Sequence, residues 1–365
     1  MRCYDRLVSK RALGAGYGLL AAVLFGASAP VAKLLLPRTG PLMLAGLLYL
    51  GAGTALSIYR VLSKKSRDTS RHAGLTRADL PLLAGIVVMG GAVGPVLMLA
   101  GLQRVSAVTG SLLLNLEAIF TMLIAVLLFR EHLGRFEAAA SLVIVLAAAL
   151  LGHRPHELRA EWLGVGAIAA ACLSWGLDNN LTQRLSLRDP TAIARVKTIG
   201  AGSCTFLLAL AMGQGLPSIG YVLAALVIGG LSYGLSIVLD IYALRYLGAA
   251  REAGFFAVAP FAGALLAIPL LGQLPSPVDY GAAALMLLGV ILLLSARHGH
   301  RHKHEDFVHD HEHVHDEHHQ HRHEGLITEP HSHAHRHEPI EHEHPHVSDL
   351  HHRHYHQAIK PAKRR

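Results

Sequence analysis

The sequence predicts an all-α membrane protein: a bundle of ten transmembrane helices built from two inverted five-helix repeats, followed by a disordered His-rich C-terminal tail. Three observations carry that expectation. Ten apolar runs of helix length divide residues 13–296, with charge confined almost wholly to their connections. The chain resembles itself at a constant spacing. Its histidines are concentrated beyond residue 297, where 23 of the 27 lie.

A helix rises about 1.5 Å per residue, so about 20 apolar residues cross a ~30 Å hydrocarbon core. The runs cover roughly 13–36, 40–60, 80–101, 105–129, 136–152, 161–184, 191–213, 218–243, 250–272 and 278–296. The chain then divides into an N-terminus (1–12), a first repeat (13–153), a second repeat (161–296) and the tail (297–365). Alternate connections differ in basic charge. Arg38, Arg104, Arg154 and Arg159 are the four on one side, against sixteen Lys and Arg on the other. Positive residues stay in the cytoplasm, so both termini are expected there, in a multi-pass protein of a bacterial inner membrane. The net charge of +8 therefore speaks for orientation. No surface of basic and aromatic residues accompanies it, which argues against a nucleic-acid partner. Cys3, Cys172 and Cys204 stand singly, with neither disulfide nor thiolate-metal spacing.

Residues 102–151 align with 244–293 at an offset of 142, which sets Glu137 on Asp279. Leu24-Phe25-Gly26 meets Ser174-Trp175-Gly176 at an offset of 150. Two halves of five spans account for both matches. Because five is odd, the second half enters the membrane the other way round, and such architectures place a substrate site near the midplane.

Polar residues inside the spans are the candidates for that site. Glu117, near the centre of the fourth run, would lie near mid-bilayer, where a carboxylate costs on the order of 2.5 kcal/mol or more and so usually faces a cavity. Helical steps from it meet Ser106, Gly110 and Thr121, whereas Asn115 falls off that stripe. In the sixth run Ser174, Asp178 and Thr182 share one stripe, and Trp175, Asn179 and Gln183 share the next, with Asn180 beside them. This wedge reads either as pathway or as interhelical hydrogen bonding, with Arg195 or Lys197 as partner for Asp178. Asp240, on a face with Ser232 and Ser236, reads either as pathway or as a charge near the cytoplasmic end. Glu252 is expected as a helix-start charge, and Lys33 as a side chain reaching toward the interface.

AAVLFGASAPVAKLLL in the first run, CLSWGLDNNLTQRL in the sixth, FREHLG after the fourth and AVAPFAGALLAIPLLGQ in the ninth resemble the EamA family of the drug/metabolite transporter superfamily. The resemblance covers about residues 14–296. It implies a secondary transporter, mostly of the metabolite-exporting kind, with ten helices around a central cavity. The ninth run keeps the family's mid-helix proline, Pro260, whereas the fourth has Ala118 there, preceded by Glu117. A carboxylate at this point suggests a cation or proton as cargo.

Beyond residue 297 the apolar periodicity ends. Low hydrophobicity predicts disorder, and H-x-H spacing predicts metal binding, since neutral imidazole suits nickel, cobalt and zinc. The candidate ligands are His298, His300, His302, His304, His309, His311, His313, His315, His318, His319, His321, His323, His331, His333, His335, His337, His342, His344 and His346. Divalent metal at the tail is the only cofactor expected. No nucleophile, base and orienting residue come together in the connections, so an enzyme is not expected. The expectation drawn is proton-coupled export of a divalent cation, nickel or cobalt ahead of zinc, a preference that rests partly on similarity to EamA-type proteins with His-rich tails in metal-resistance systems. The partners would be the bilayer, the ion and protons, with a homodimer left open. Export of an organic solute or metal chelate with a metal-sensing tail, and a membrane-tethered metal store, are the alternatives.

Overall fold

The computed structural model describes residues 2–63, 74–129, 134–152, 158–185, 188–247, 249–295 and, in the tail, 298–303, 307–313, 331–337 and 341–346. The first run is α1 (Arg2–Gly26) and α2 (Ser28–Thr39), and the second is α3 (Pro41–Ser63). The third comprises α4 (Leu80–Gly85), a π-helical segment (Ile86–Val93) and α5 (Gly94–Leu102). The fourth is α6 (Ala107–Leu113) and α7 (Leu116–Phe129), and the fifth is α8 (Arg135–Gly152). The second half follows with α9 (Leu158–Gln183), α10 (Pro190–Ala211), and α11 (Ile219–Gly229) joined through a π-helical segment (Gly230–Leu235) to α12 (Ser236–Leu247). Then come α13 (Ala249–Phe256), α14 (Ala259–Leu271) and α15 (Pro277–Ser295).

Among the described residues, nine stretches rather than ten are long and apolar enough to cross a membrane. The sixth run, α9, falls short because Asp178, Asn179 and Asn180 dilute its apolar character, yet it packs inside the bundle against α5 and α7. The fourth run also departs from expectation. It is two helices, broken at Leu114–Asn115, as the ninth is broken at Ala257–Val258.

Helix packing repeats as the sequence does. α3 packs on α10 and α8 on α15, each pairing a helix with its counterpart in the other half, while α6 of the fourth run packs on α14 of the ninth. α1 packs on α12 as α9 packs on α5. The repeat reaches single hydrogen bonds. The Glu137 carboxylate accepts from the Gly134 N–H, and that of Asp279 from the Ser276 N–H at 2.7 Å, so both fifth helices start on the same cap. Close approach depends on small residues. A methyl group at Gly26 would overlap the Ala259 carbonyl, and one at Gly229 the Leu48 carbonyl. Met43, Leu44, Leu48, Leu99, Leu112 and Ile144 are fully buried, while Leu127, Leu142, Leu207, Leu265 and Ile291 face outward, as a lipid-solvated bundle allows.

The expectation of a wholly disordered tail does not hold over its described segments. β1 (His298–Lys303) pairs antiparallel with β4 (Glu341–His346), and β2 (Phe307–His313) with β3 (His331–His337). Histidine at every second residue is a strand period, and an antiparallel ladder satisfies the backbone without any apolar face.

Candidate functional site

The break in the fourth run sets the position of Glu117. The Asn115 N–H donates to the Leu112 carbonyl at 3.1 Å and the Glu117 N–H to that of Leu114 at 3.0 Å, a tightened turn rather than a continuous helix. Glu117 is thereby the second residue of α7, at a helix start within the span. Unpaired N–H groups and the positive end of the helix dipole favour a carboxylate there, which offsets part of its cost in the membrane. Asn179 of α9 donates through Nδ2 to Glu117 Oε1 at 2.9 Å and to Thr121 Oγ1 at 3.2 Å. Asn179 is exposed and Glu117 partly so, so a surface reachable by a small molecule lies between α7 and α9. Asn180 is buried and donates to the carbonyls of Thr121, at 2.9 Å, and Gly176, at 2.8 Å. It ties α9 to α7.

One turn away, Asp178 is nearly inaccessible and ion-paired to Lys197 of α10, the second of the two partners foreseen for it. Asp178 lies against Gly90, where a methyl group would displace its carboxylate. The π-helical segment of the third run presents its carbonyls here, because a π turn takes them out of the regular ladder. Trp175 Nε1 donates to the Gly90 carbonyl at 3.0 Å and Tyr49 Oη to the same oxygen at 3.1 Å, while Ser174 Oγ donates to Met89 at 2.8 Å. Rings complete the wall. Tyr49 and Tyr233 lie 5.6 Å apart, Phe25 meets Tyr233 edge-on at 5.8 Å, and Phe25 meets Phe256 at 5.2 Å. Glu117 is within electrostatic reach of Lys197, Asp178 and Tyr49.

Of the residues singled out in the sequence, Glu117, Thr121, Ser174, Asp178, Asn179 and Asn180 therefore come together, and Asp240 does not. Asp240 faces Glu252 across the α12–α13 junction, so Glu252 is more than a helix-start charge. Lys33 does not reach for the interface. Its ammonium donates to the carbonyls of Leu102, at 2.6 Å, and Val105, a positive charge at the end of α5. Tyr49, Tyr233 and the Gly90 carbonyl were missed; the sequence signals were Met89-Gly90-Gly91 and Ser232-Tyr233-Gly234, glycine interruptions in otherwise apolar runs. Among the described residues no group of three or more His, Cys, Asp or Glu is placed to hold a metal. In the tail, backbone register sets His298, His300 and His302 opposite His346, His344 and His342, and His309, His311 and His313 opposite His335, His333 and His331. His304, His315, His318, His319, His321, His323 and most of the remaining tail lie outside the described residues.

Two ion pairs tie the helix ends next to the connections expected in the cytoplasm. Arg188 meets Asp79 at 3.0 Å and Arg60 meets Asp189 at 3.2 Å. Burial alone would raise the Asp189 carboxyl. Hydrogen bonds from the Thr191 hydroxyl and from the Ala192 and Thr191 N–H groups, with the charge of Arg60, hold it below the usual carboxylate range.

The model of the EamA-like transporter family matches twice, over residues 12–152 and 162–295. The chain belongs to the EamA-like transporter family. An uncharacterized transporter of Methanothermobacter thermautotrophicus is 30% identical over 291 residues, covering 75% of this chain and 84% of that one. A probable terminal-alkyne amino-acid exporter of Streptantibioticus cattleyicolor is 27% identical over 253 residues, covering 66% and 83%. A solved crystal structure, at 18% identity and a TM-score of 0.50, covers 78% of this chain and 95% of its own, a likeness of fold alone. As an EamA transporter the chain is a multi-pass membrane protein.

Proposed function

We propose that this EamA transporter exports a small organic solute carrying an ammonium group, with Glu117 as its counter-charge. The observation that carries the reading is that, among the described residues, Glu117 is the carboxylate of the cluster without an ion pair, and aromatic rings lie beside it. Asp178 is already spent on Lys197, and among the described residues the Glu117 carboxylate accepts from the neutral amide of Asn179, which also donates to the Thr121 hydroxyl. One negative group beside Tyr49, Tyr233 and Phe25 suits one ammonium with an apolar body, by charge pairing and cation–π attraction. Lys197, partly exposed, is the group nearest to hand for a substrate carboxylate. Export of an amino acid by one relative supports the substrate class and the direction. The two halves, inverted about the midplane in an inner membrane with both termini in the cytoplasm, would rock around this cluster.

A second reading is favoured by the tail: export of nickel or cobalt, with protons exchanged at Glu117 and the histidines collecting metal. A desolvated divalent cation calls for several anionic or imidazole ligands, and the bundle's described residues bring no such group together. Uptake of labelled L-phenylalanine and of nickel into inverted vesicles separates the two. L-Phenylalanine flux reduced at least about tenfold by Glu117→Gln is expected; nickel flux alone, or full L-phenylalanine flux in that variant, overturns the proposal.

A further inference from the structure

The second half holds a pair of carboxyls that the substrate cluster does not use. Asp240 lies on α12 and Glu252 in the first turn of α13, and the two side chains meet across the short turn between these helices. Glu252 is 8% exposed, and its Oε1 is buried without a hydrogen-bond partner, as is Asp240 Oδ1. Elsewhere in the membrane region the carboxylates are answered, Asp178 by Lys197 and Glu117 by Asn179. Here no described Lys or Arg answers either one.

Tyrosines pack together on the same elements. α1 brings Tyr17, packed on Tyr242 at 5.7 Å and on Tyr246 at 6.1 Å, and α3 brings Tyr59, whose hydroxyl is 3.0 Å from that of Tyr242. α10, also packed on α12, carries Arg195 and Lys197, the latter engaged with Asp178. The π-helical segment before α12 carries Tyr233. Arg60 of α3 is engaged with Asp189. The remaining charged groups on these elements are Arg2, Asp5, Arg6, Lys10 and Arg11 of α1, Arg245 of α12 and Arg251 of α13, whose side chains lie outside the described ones. Two facing carboxylates, each with a buried oxygen that has no partner, cannot both remain ionised without a cation between them. The smallest such cation is a proton, which also supplies the missing donor.

We propose that Asp240 and Glu252 hold one proton between them, and that loading and releasing it couples transport to the proton gradient at a site separate from Glu117. The coupling half rests on the transporter reading above; the shared proton does not. α13 leads directly into the break before α14, and α12 continues from the π-helical segment bearing Tyr233. Loss of the proton would drive the two carboxylates apart and so move the elements that wall the substrate cluster.

The test uses the full chain in lipid nanodiscs, without substrate, followed by infrared difference spectroscopy as pH is stepped upward from neutral. A protonated-carboxyl band is expected that bleaches on alkalinisation. It should vanish in both Asp240→Asn and Glu252→Gln and persist in Glu117→Gln. No such band, or a band surviving in both pair variants, overturns the shared proton. In proteoliposomes, accumulation of labelled L-phenylalanine driven by a pH gradient should fall at least about tenfold in each pair variant, while exchange against internal unlabelled L-phenylalanine stays within about twofold of the parent. Equal loss of both activities, or loss of neither, overturns the coupling role. If the parent moves no L-phenylalanine, the substrate reading fails and the coupling role proposed with it, whereas the infrared result still decides the proton site.

Discussion

The fourth and ninth runs are broken at nearly equivalent positions, by different means and to different chemical ends. In the ninth, Pro260 is the second residue of α14 and removes an N–H that the helix start leaves unpaired in any case. In the fourth there is no proline; Leu114 and Asn115 turn, and the freed helix start holds Glu117. The supporting residues differ in the same way. At the offset of 150, Asp178 corresponds to Ser28. Asp178 takes a lysine, while Ser28 is a buried neutral hydroxyl. Backbone breaks are shared by the halves, whereas charge is not. An internal repeat fixes where helices interrupt and pack, and single substitutions at the interruptions decide what the cavity can bind.

The strongest way to break that comparison is to remove the lysine. Lys197→Ala strands a buried carboxylate, and a loss of about 3–5 kcal/mol in stability is expected, read as a lowered unfolding temperature in detergent. Adding Asp178→Ser, which makes position 178 neutral as at Ser28, should restore most of it; no recovery would mean that Lys197 acts through packing rather than charge. Next is the break itself. Ala118→Pro places proline in the first turn of α7, where N–H groups are already orphaned, so a change under about 1 kcal/mol is expected against the ~3 kcal/mol of a helix interior. A full interior-sized loss would show that the fourth run is continuous.

The tail offers a smaller effect. Isolated two-stranded ladders are marginal in water, so nickel should increase amide protection over 298–313 and 331–346 if the cross-strand histidine register holds a metal. Unchanged exchange in excess nickel would remove that role. The least effect is expected from pH. Asp189 is held below its ordinary range, so its folded form prefers the ionised state; the resulting stability is present above about pH 4 and fades as pH falls through the folded value. Asp189→Asn should flatten this part of the acid limb, and an unaltered limb would show that the Arg60 pair is fully screened.

Much of this was legible in the chain. Apolar runs give membrane helices because an unpaired backbone cannot cross hydrocarbon. The offset of 142 placed Glu137 and Asp279 on matching caps, and Glu117, Asn179 and Asp178 stood out because polar groups in a span are costly. The bend at Leu114–Asn115 was missed although Asn favours caps and turns, because a lone Asn in an apolar run does not interrupt its periodicity; there Asn115 Nδ2 donates to the Leu112 carbonyl at 2.8 Å.

Sequence by itself determined the class, nine of the expected spans, the repeat and the polar residues worth watching, since each follows from transfer free energies and periodicity along one chain. Only the tertiary structure decided which charges meet. Lys197 over Arg195 for Asp178, Glu252 for Asp240, and a helix end rather than the interface for Lys33 are choices made by helix rotation and crossing. Those depend on contacts between residues far apart in sequence, which no local pattern encodes.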